Sequence, residues 1–169
     1  FDKATGKIRW KQERNYEVPT ENDNGYTTPI PVRHGGRDAL LVWCSDHLTA
    51  YAADDGALLW SCGGFNPKAK KLWPPIATPV VAGDIAVVPV GRDDRKQASV
   101  HAVRLGGTGD VTQTHRVWER DDFGVFVSSP IEYEGKVYLL RHRGEIVCLY
   151  PNTGEPFWTA ELPRTVDPY

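Results

Sequence analysis

Titratable side chains crowd together in this chain at Asp46-His47, at Arg92-Asp93-Asp94 and at Arg141-His142-Arg143. Carboxylate, imidazole and guanidinium groups in such proximity suit polar recognition, in which a surface reads the charge and hydrogen-bonding pattern of a partner. Aromatic residues flank them: Phe65, Trp73, Phe123 and Phe126. Taken one at a time, charges of this kind are ordinary solvated loop positions. Taken as a set on one side of the molecule, Asp46, His47, Trp73, Arg92, Asp93, Asp94, Phe123, Arg141 and His142 make a candidate binding rim.

Catalytic patterns are weaker. Asp122-Phe123-Gly124 and His142-Arg143 echo protein-kinase triplets, but they stand in the wrong order and no glycine-rich strand or lysine strand accompanies them. Gly106-Gly107-Thr108-Gly109 leads into no helix and so makes no phosphate cradle. His34, His47, His101, His115 and His142 never fall two or four residues apart, the spacings of metal sites. His101 reads as a hydrogen-bonding residue within a strand. No Gly-x-Ser-x-Gly elbow occurs. No catalytic residue and no metal ligand is assigned.

The 169 residues carry a net charge of −2, which offers no general attraction to nucleic acid or anionic lipid. Lys68-Ala69-Lys70-Lys71 beside Trp73 is too small a patch to reverse that. No apolar run approaches the length of a membrane helix, and the best, Ile85 to Val90, contains Pro89. Cys44, Cys62 and Cys148 lack Cys-x-x-Cys spacing and read as small buried hydrophobes, with a Cys44–Cys62 bridge as the alternative.

The elements that must position these loops are announced by a recurring phrase. Asp2-Lys3-Ala4-Thr5-Gly6 leads to Trp10, Ala53-Asp54-Asp55-Gly56 to Trp60, and Pro151-Asn152-Thr153-Gly154 to Trp158. In each, four positions separate glycine from tryptophan. A looser copy, Gly106 to Asp110, leads to Trp118. Thr28-Pro29, Thr78-Pro79 and Ser129-Pro130 recur ahead of the phrase at intervals of 79−29=50 and 130−79=51 residues. A period of this length means stacked supersecondary units. Each unit reads as four short β-runs, A to D, joined by turns, and no helical period is sustained. A lone four-stranded sheet has two faces to cover, so the units must stack face to face, and radial stacking of such sheets is a β-propeller.

The phrases ending at Trp10 and Trp158 resemble the tryptophan-docking repeat of pyrroloquinoline-quinone (PQQ)-type propellers, in which Gly6, Trp10, Gly56, Trp60, Trp118, Gly154 and Trp158 are structural positions. The resemblance implies an all-β fold of four-stranded antiparallel blades. Residues 1–14 would be the last strand of a preceding blade, and 26–63, 76–120 and 127–163 three complete blades of a seven- or eight-bladed ring. Three blades and a strand cannot close, so the remaining blades of a longer chain, or another copy, are expected to complete it.

In such a ring the A–B and C–D turns share one rim, and the B–C and D–A connections the other. The long, mixed connections fall on the second, which holds the candidate binding residues. The repeat serves both quinoprotein dehydrogenases and BamB-like assembly proteins. The expected function is therefore a non-enzymatic scaffold presenting loops to a protein or envelope partner, with no cofactor and an extracytoplasmic home implied by the resemblance. One alternative is a PQQ- and calcium-dependent alcohol or sugar dehydrogenase, against which stand the missing Cys-Cys pair and the scattered carboxylates. Another is a propeller binding a glycan or small ligand in its funnel.

Overall fold

Short β-rich runs separated by tight turns have no way to satisfy their backbone except by pairing with neighbours in sequence, and the chain does this three times. A computed structural model describes residues 1–69, 74–92 and 97–163. The first sheet contains β1 (Ile30–His34), β2 (Arg37–Cys44), β3 (His47–Ala52) and β4 (Leu58–Cys62) in sequential antiparallel order. The second contains β5 (Val80–Ala82), β6 (Ile85–Arg92), β7 (Gln97–Arg104) and β9 (Arg116–Arg120). The third contains β10 (Ile131–Tyr133), β11 (Lys136–Leu140), β12 (Glu145–Leu149) and β13 (Pro156–Glu161). Among the described residues there is no helix. The molecule is an open arc of propeller blades.

The turn residues carry the backbone each hairpin requires. Ser45 and Asp46 both adopt φ of 50°, the left-handed pair that lets a two-residue loop follow strand twist, so Cys44 pairs with His47 across it. Glu134 and Gly135 do the same between Tyr133 and Lys136.

A bulge recurs at one place in every blade, between the third and fourth strands. It sets Trp60 opposite Ala50, Trp118 opposite Ala102 and Trp158 opposite Cys148. Each tryptophan thus faces a small residue, and the bulge re-aims the indole.

Two indoles of the recurring phrase, Trp10 and Trp118, seat on the next C–D turn. Trp10 donates its indole N–H to the Ala53 carbonyl at 3.0 Å, and Trp118 donates to Pro151 at 2.7 Å. A methyl group on Gly56 would lie 2.5 Å from the Trp10 ring, and one on Gly154 would lie 2.7 Å from Trp118. Glycine is required there for two reasons, a positive φ and the ring lying on its α-carbon.

The third joint is built differently. The looser copy of the phrase forms β8 (Gly109–Asp110), which adds to the first sheet as a parallel fifth strand beside β4, Trp60 pairing with Gly109. Val111 N–H bonds the Ser61 carbonyl at 2.8 Å, and Gly63 N–H bonds Thr112 Oγ1 at 2.8 Å. The extra residues that blur the phrase in sequence therefore make a backbone ladder between blades.

On the inner side the Thr/Ser-Pro markers form a belt. Thr28 N–H donates to Thr78 Oγ1 at 3.0 Å, and Thr78 N–H donates to Ser129 Oγ at 2.9 Å. The hydroxyl links blades, while the proline begins the innermost strand where no ladder donor is needed.

The middle sheet is buried on both faces. Ala86, Val88, Val90 and Val103 pack into one cluster with Leu41, Trp43, Leu48 and Trp60 of the first sheet. Ile85, Val87, Val100 and Ala102 pack into another with Val137, Leu139, Val147 and Leu149 of the third. Each valine, leucine or isoleucine among them contributes about 1.5–3 kcal/mol when fully buried.

Residues 1–14, expected as a last strand, form the Asp2–Gly6 turn and a run that joins no sheet among the described residues; Trp10 holds it to the first blade instead. The Cys44–Cys62 bridge does not form: all three cysteines are free, with Cys62 and Cys148 buried. Packing, not cross-linking, is their role.

Candidate functional site

The candidate rim begins at the Ser45-Asp46 turn of the first blade. Asp46 is 8% exposed, and its carboxylate accepts from Asn22 Nδ2 (3.1 and 3.3 Å) and from Asn66 Nδ2 (2.9 Å). Two amides from the connections before and after the blade thus satisfy a buried charge, which otherwise would be costly. Next to it, the His47 ring stacks on Tyr16, centroids 3.7 Å apart and planes within 9°. His47 Nδ1 lies 2.7 Å from the Ser45 carbonyl, which places a proton on that nitrogen.

Arg14 completes the knot. Its Nη2 donates to the Cys44 and His47 carbonyls at 2.9 and 2.8 Å, its Nε to Thr49 Oγ1 at 3.3 Å, and its guanidinium lies 5.1 Å from the Tyr16 ring centre. Burial holds the Tyr16 phenol above its usual range. Asp46 and His47 are therefore fastened by the segment ahead of the blade, and their role here is to anchor that segment.

Further round the rim, the Arg92 guanidinium lies 4.2 Å from the Phe126 ring centre. Asp93, Asp94 and Trp73 lie outside the described residues. Phe123 is 6% exposed and belongs to the core between the second and third sheets. Arg120 lies over its ring at 4.7 Å and pairs with Asp122 at 2.5 Å, which lowers the Asp122 carboxyl and raises Arg120.

Arg141 pairs with Glu145 across the last B–C turn. Arg141 and His142 open onto a cavity of about 220 Å³, walled by Phe126, Val127 and Ser128 from the preceding connection and by Leu140, Gly144 and Leu162. Of the expected rim residues, the structure brings Arg141 and His142 together at a cavity, joined there by Phe126. This cleft is walled mainly by apolar side chains, with an imidazole and an ion-paired guanidinium at its edge. Its imidazole and guanidinium are not the carboxylate and amide oxygens that calcium takes, so these lining residues do not fit a calcium-held quinone. Among the described residues no group of three or more His, Cys, Asp or Glu is arranged to hold a metal ion.

Sequence reasoning missed three things. Arg14, Tyr16, Asn22 and Asn66 were unreadable because each acts on a turn twenty or more residues away. A second polar cleft, of about 380 Å³, sits on the opposite rim among Arg9, Arg33, Arg37, Asp38 and Asp54; its only signal was arginines recurring beside brief turns. The third is a buried polar bridge. His101 Nδ1 accepts from Arg116 Nη1 at 2.6 Å, its Nε2 meets Ser99 Oγ at 2.8 Å, and Arg116 Nη2 reaches the Gly63 carbonyl of the first blade at 2.5 Å.

Residues 1–160 match the profile of a family described as outer membrane protein assembly factor BamB. No curated protein matches the chain. Among solved structures, BamB from Moraxella catarrhalis is similar at 18% identity and a TM-score of 0.48, over 74% of this chain and 33% of that one. The chain thus spans about a third of that protein's length.

Proposed function

Because this chain belongs to the family described as outer membrane protein assembly factor BamB, we propose that it is part of a non-enzymatic propeller scaffold that binds a protein of the bacterial envelope. Its site is the rim of B–C turns and blade-to-blade connections, centred on the cleft at Arg141 and His142, in an extracytoplasmic setting. The observation that carries this reading is the fastening of the rim. Asp46, His47, Arg92 and Arg120 are held by internal amides, rings and carboxylates. Groups spent in this way are poor acid–base catalysts but keep loops rigid, and rigid loops lose little entropy on binding.

Purified components of the outer-membrane protein assembly machinery should bind the immobilised protein. Arg141→Gln and His142→Ala should each weaken that binding about tenfold or more, as interface anchors do. Absence of binding to every component, or oxidation of alcohols or sugars that depends on added PQQ and calcium, would overturn the proposal.

A further inference from the structure

Five asparagines lie in this chain, and the fold leaves one of them open to attack by its own backbone. We propose that Asn24 is a site of spontaneous covalent modification, converting to isoaspartate and aspartate through a cyclic imide with Gly25. The Gly25 backbone nitrogen, having lost its proton to solvent, attacks the side-chain carbonyl carbon of Asn24. The new N–Cγ bond forms as the Cγ–Nδ2 bond breaks, and the amide nitrogen takes up a proton and leaves as ammonia. Water then opens the imide. Opening at the main-chain carbonyl routes the backbone through the Asn24 side chain, giving isoaspartate, and opening at Cγ gives aspartate.

Gly25 presents no Cβ to obstruct the approach, and both residues are exposed and lie in no strand. Among the described residues the Gly25 N–H donates to no acceptor. Asn24 is held weakly: its N–H reaches the Glu21 carbonyl at 3.3 Å, and its Nδ2 reaches the exposed Asp23 Oδ1 at 3.1 Å. The second bond engages the nitrogen that departs, not the carbon that is attacked. The other asparagines are guarded. Asn22 is buried with its amide on Asp46, and Asn66 also bonds Asp46 and precedes Pro67, which has no N–H to lose. Asn15 precedes Tyr16, whose ring is stacked on His47, and Asn152 precedes the β-branched Thr153, whose N–H donates to Tyr150. Asp55-Gly56, the corresponding pair with a carboxylate, is closed as well. Gly56 N–H is bonded to the Ala52 carbonyl at 2.9 Å, and Asp55 Oδ1 accepts from Ala57 N–H at 2.9 Å.

Isoaspartate lengthens the backbone where there is no slack. On one side the Asp23 carbonyl accepts from Ser45 Oγ at 3.3 Å, and on the other Tyr26 N–H donates to the Pro75 carbonyl at 2.9 Å. Between them Gly25 rests on Cys44, where a Cβ on the glycine would lie 2.5 Å from the sulfur. The longer backbone must lift Gly25 off the thiol or break one of these bonds. The connection that loosens is the one whose Asn22 satisfies the buried Asp46 carboxylate, so a change at an exposed loop reaches the Ser45-Asp46 turn.

The chemistry is independent of what the rim binds. Folded and urea-unfolded protein, held side by side in mildly alkaline buffer, are sampled over days by peptide mass spectrometry and by isoaspartyl methyltransferase labelling. The folded protein should exchange NH for O at Asn24 ahead of every other asparagine, within about tenfold of the unfolded rate. Because the deprotonated nitrogen attacks, the rate should rise about tenfold per pH unit. Asn24→Gln, which would have to close a larger ring, should stay folded and unmodified. Cys44 is half-buried while Cys62 and Cys148 are buried, so a thiol reagent reads the Gly25 contact. Cys44 should label several-fold faster in the isoaspartate fraction of aged protein. Fresh Asn24→Asp, which carries the charge on an ordinary backbone, should label as the wild type does. A folded chain in which Asn24 persists long after the unfolded chain has reacted, in which another asparagine changes first, or whose Cys44 labelling the isomer leaves unmoved would overturn the proposal.

Discussion

His101 shows how a single buried group can tie stability to pH. It is 1% exposed, and because a guanidinium can only donate, the Nδ1 facing Arg116 must be unprotonated while Nε2–H donates to Ser99. Burial first, and the Arg116 charge second, lower its pKa from 6.5 to about 3. Glu119, 3.6 Å from Nδ1, would favour the charged form, but it is half exposed and screened, and the nearer guanidinium prevails. Between those two pKa values the unfolded chain binds a proton that the folded chain refuses. The stabilising contribution is therefore whole above the unfolded value and is lost as pH falls towards the folded one, by about 1.4 kcal/mol per pH unit. Thermal melts from about pH 7 down to about pH 4 should show this slope, and His101→Gln, which can accept from Arg116 and donate to Ser99, should flatten it. That His101 is a hydrogen-bonding strand residue was legible in sequence. Its partner was not, because Arg116 is brought to it by a strand pairing across the insertion.

The elements are joined by devices of different strength. At the outer joint, Gly154→Ala would place a methyl group 2.7 Å from the Trp118 ring on a backbone at φ 70°, whereas Gly83→Ala meets nothing within 4 Å at φ 62°. Strain is common to both and overlap belongs to one, so Gly154→Ala should cost about 2–3 kcal/mol and Gly83→Ala about 1, read from denaturant midpoints. On the inner belt, Thr78→Val removes the acceptor of Thr28 N–H while keeping the shape of the side chain. A loss of about 0.5–1.5 kcal/mol is expected by the same measurement. Alternation and turn residues made the strands readable nearly to their ends, and the glycine–tryptophan interval pointed to the outer joint. The belt's hydroxyls escaped notice because the proline beside them already accounted for the marker, and β8 escaped because two strand residues carry no periodic signal.

For the whole molecule, what matters is that the middle sheet contributes to both cores and the outer sheets to one each. Hydrogen exchange should be slowest in β6 and β7 and fast in residues 1–14 and along β13, every residue of which is exposed. Faster exchange in β6 than in β13 would contradict this order. The arc itself was legible from the fifty-residue interval. The candidate rim was legible only in outline, since a charged loop residue looks the same in sequence whether it faces solvent, as a binding group must, or is folded under, as Asp46 is.

The parallel pairing of β8 with β4 has a mechanical consequence. A joint of backbone hydrogen bonds running along two strands must break them together when the strands are dragged past one another, whereas a ring resting on an α-carbon can be peeled away. Tension on the chain would part the last blade from the second before it parts the first two, so the residues that blur the repeat also give the three blades an order in which they come apart.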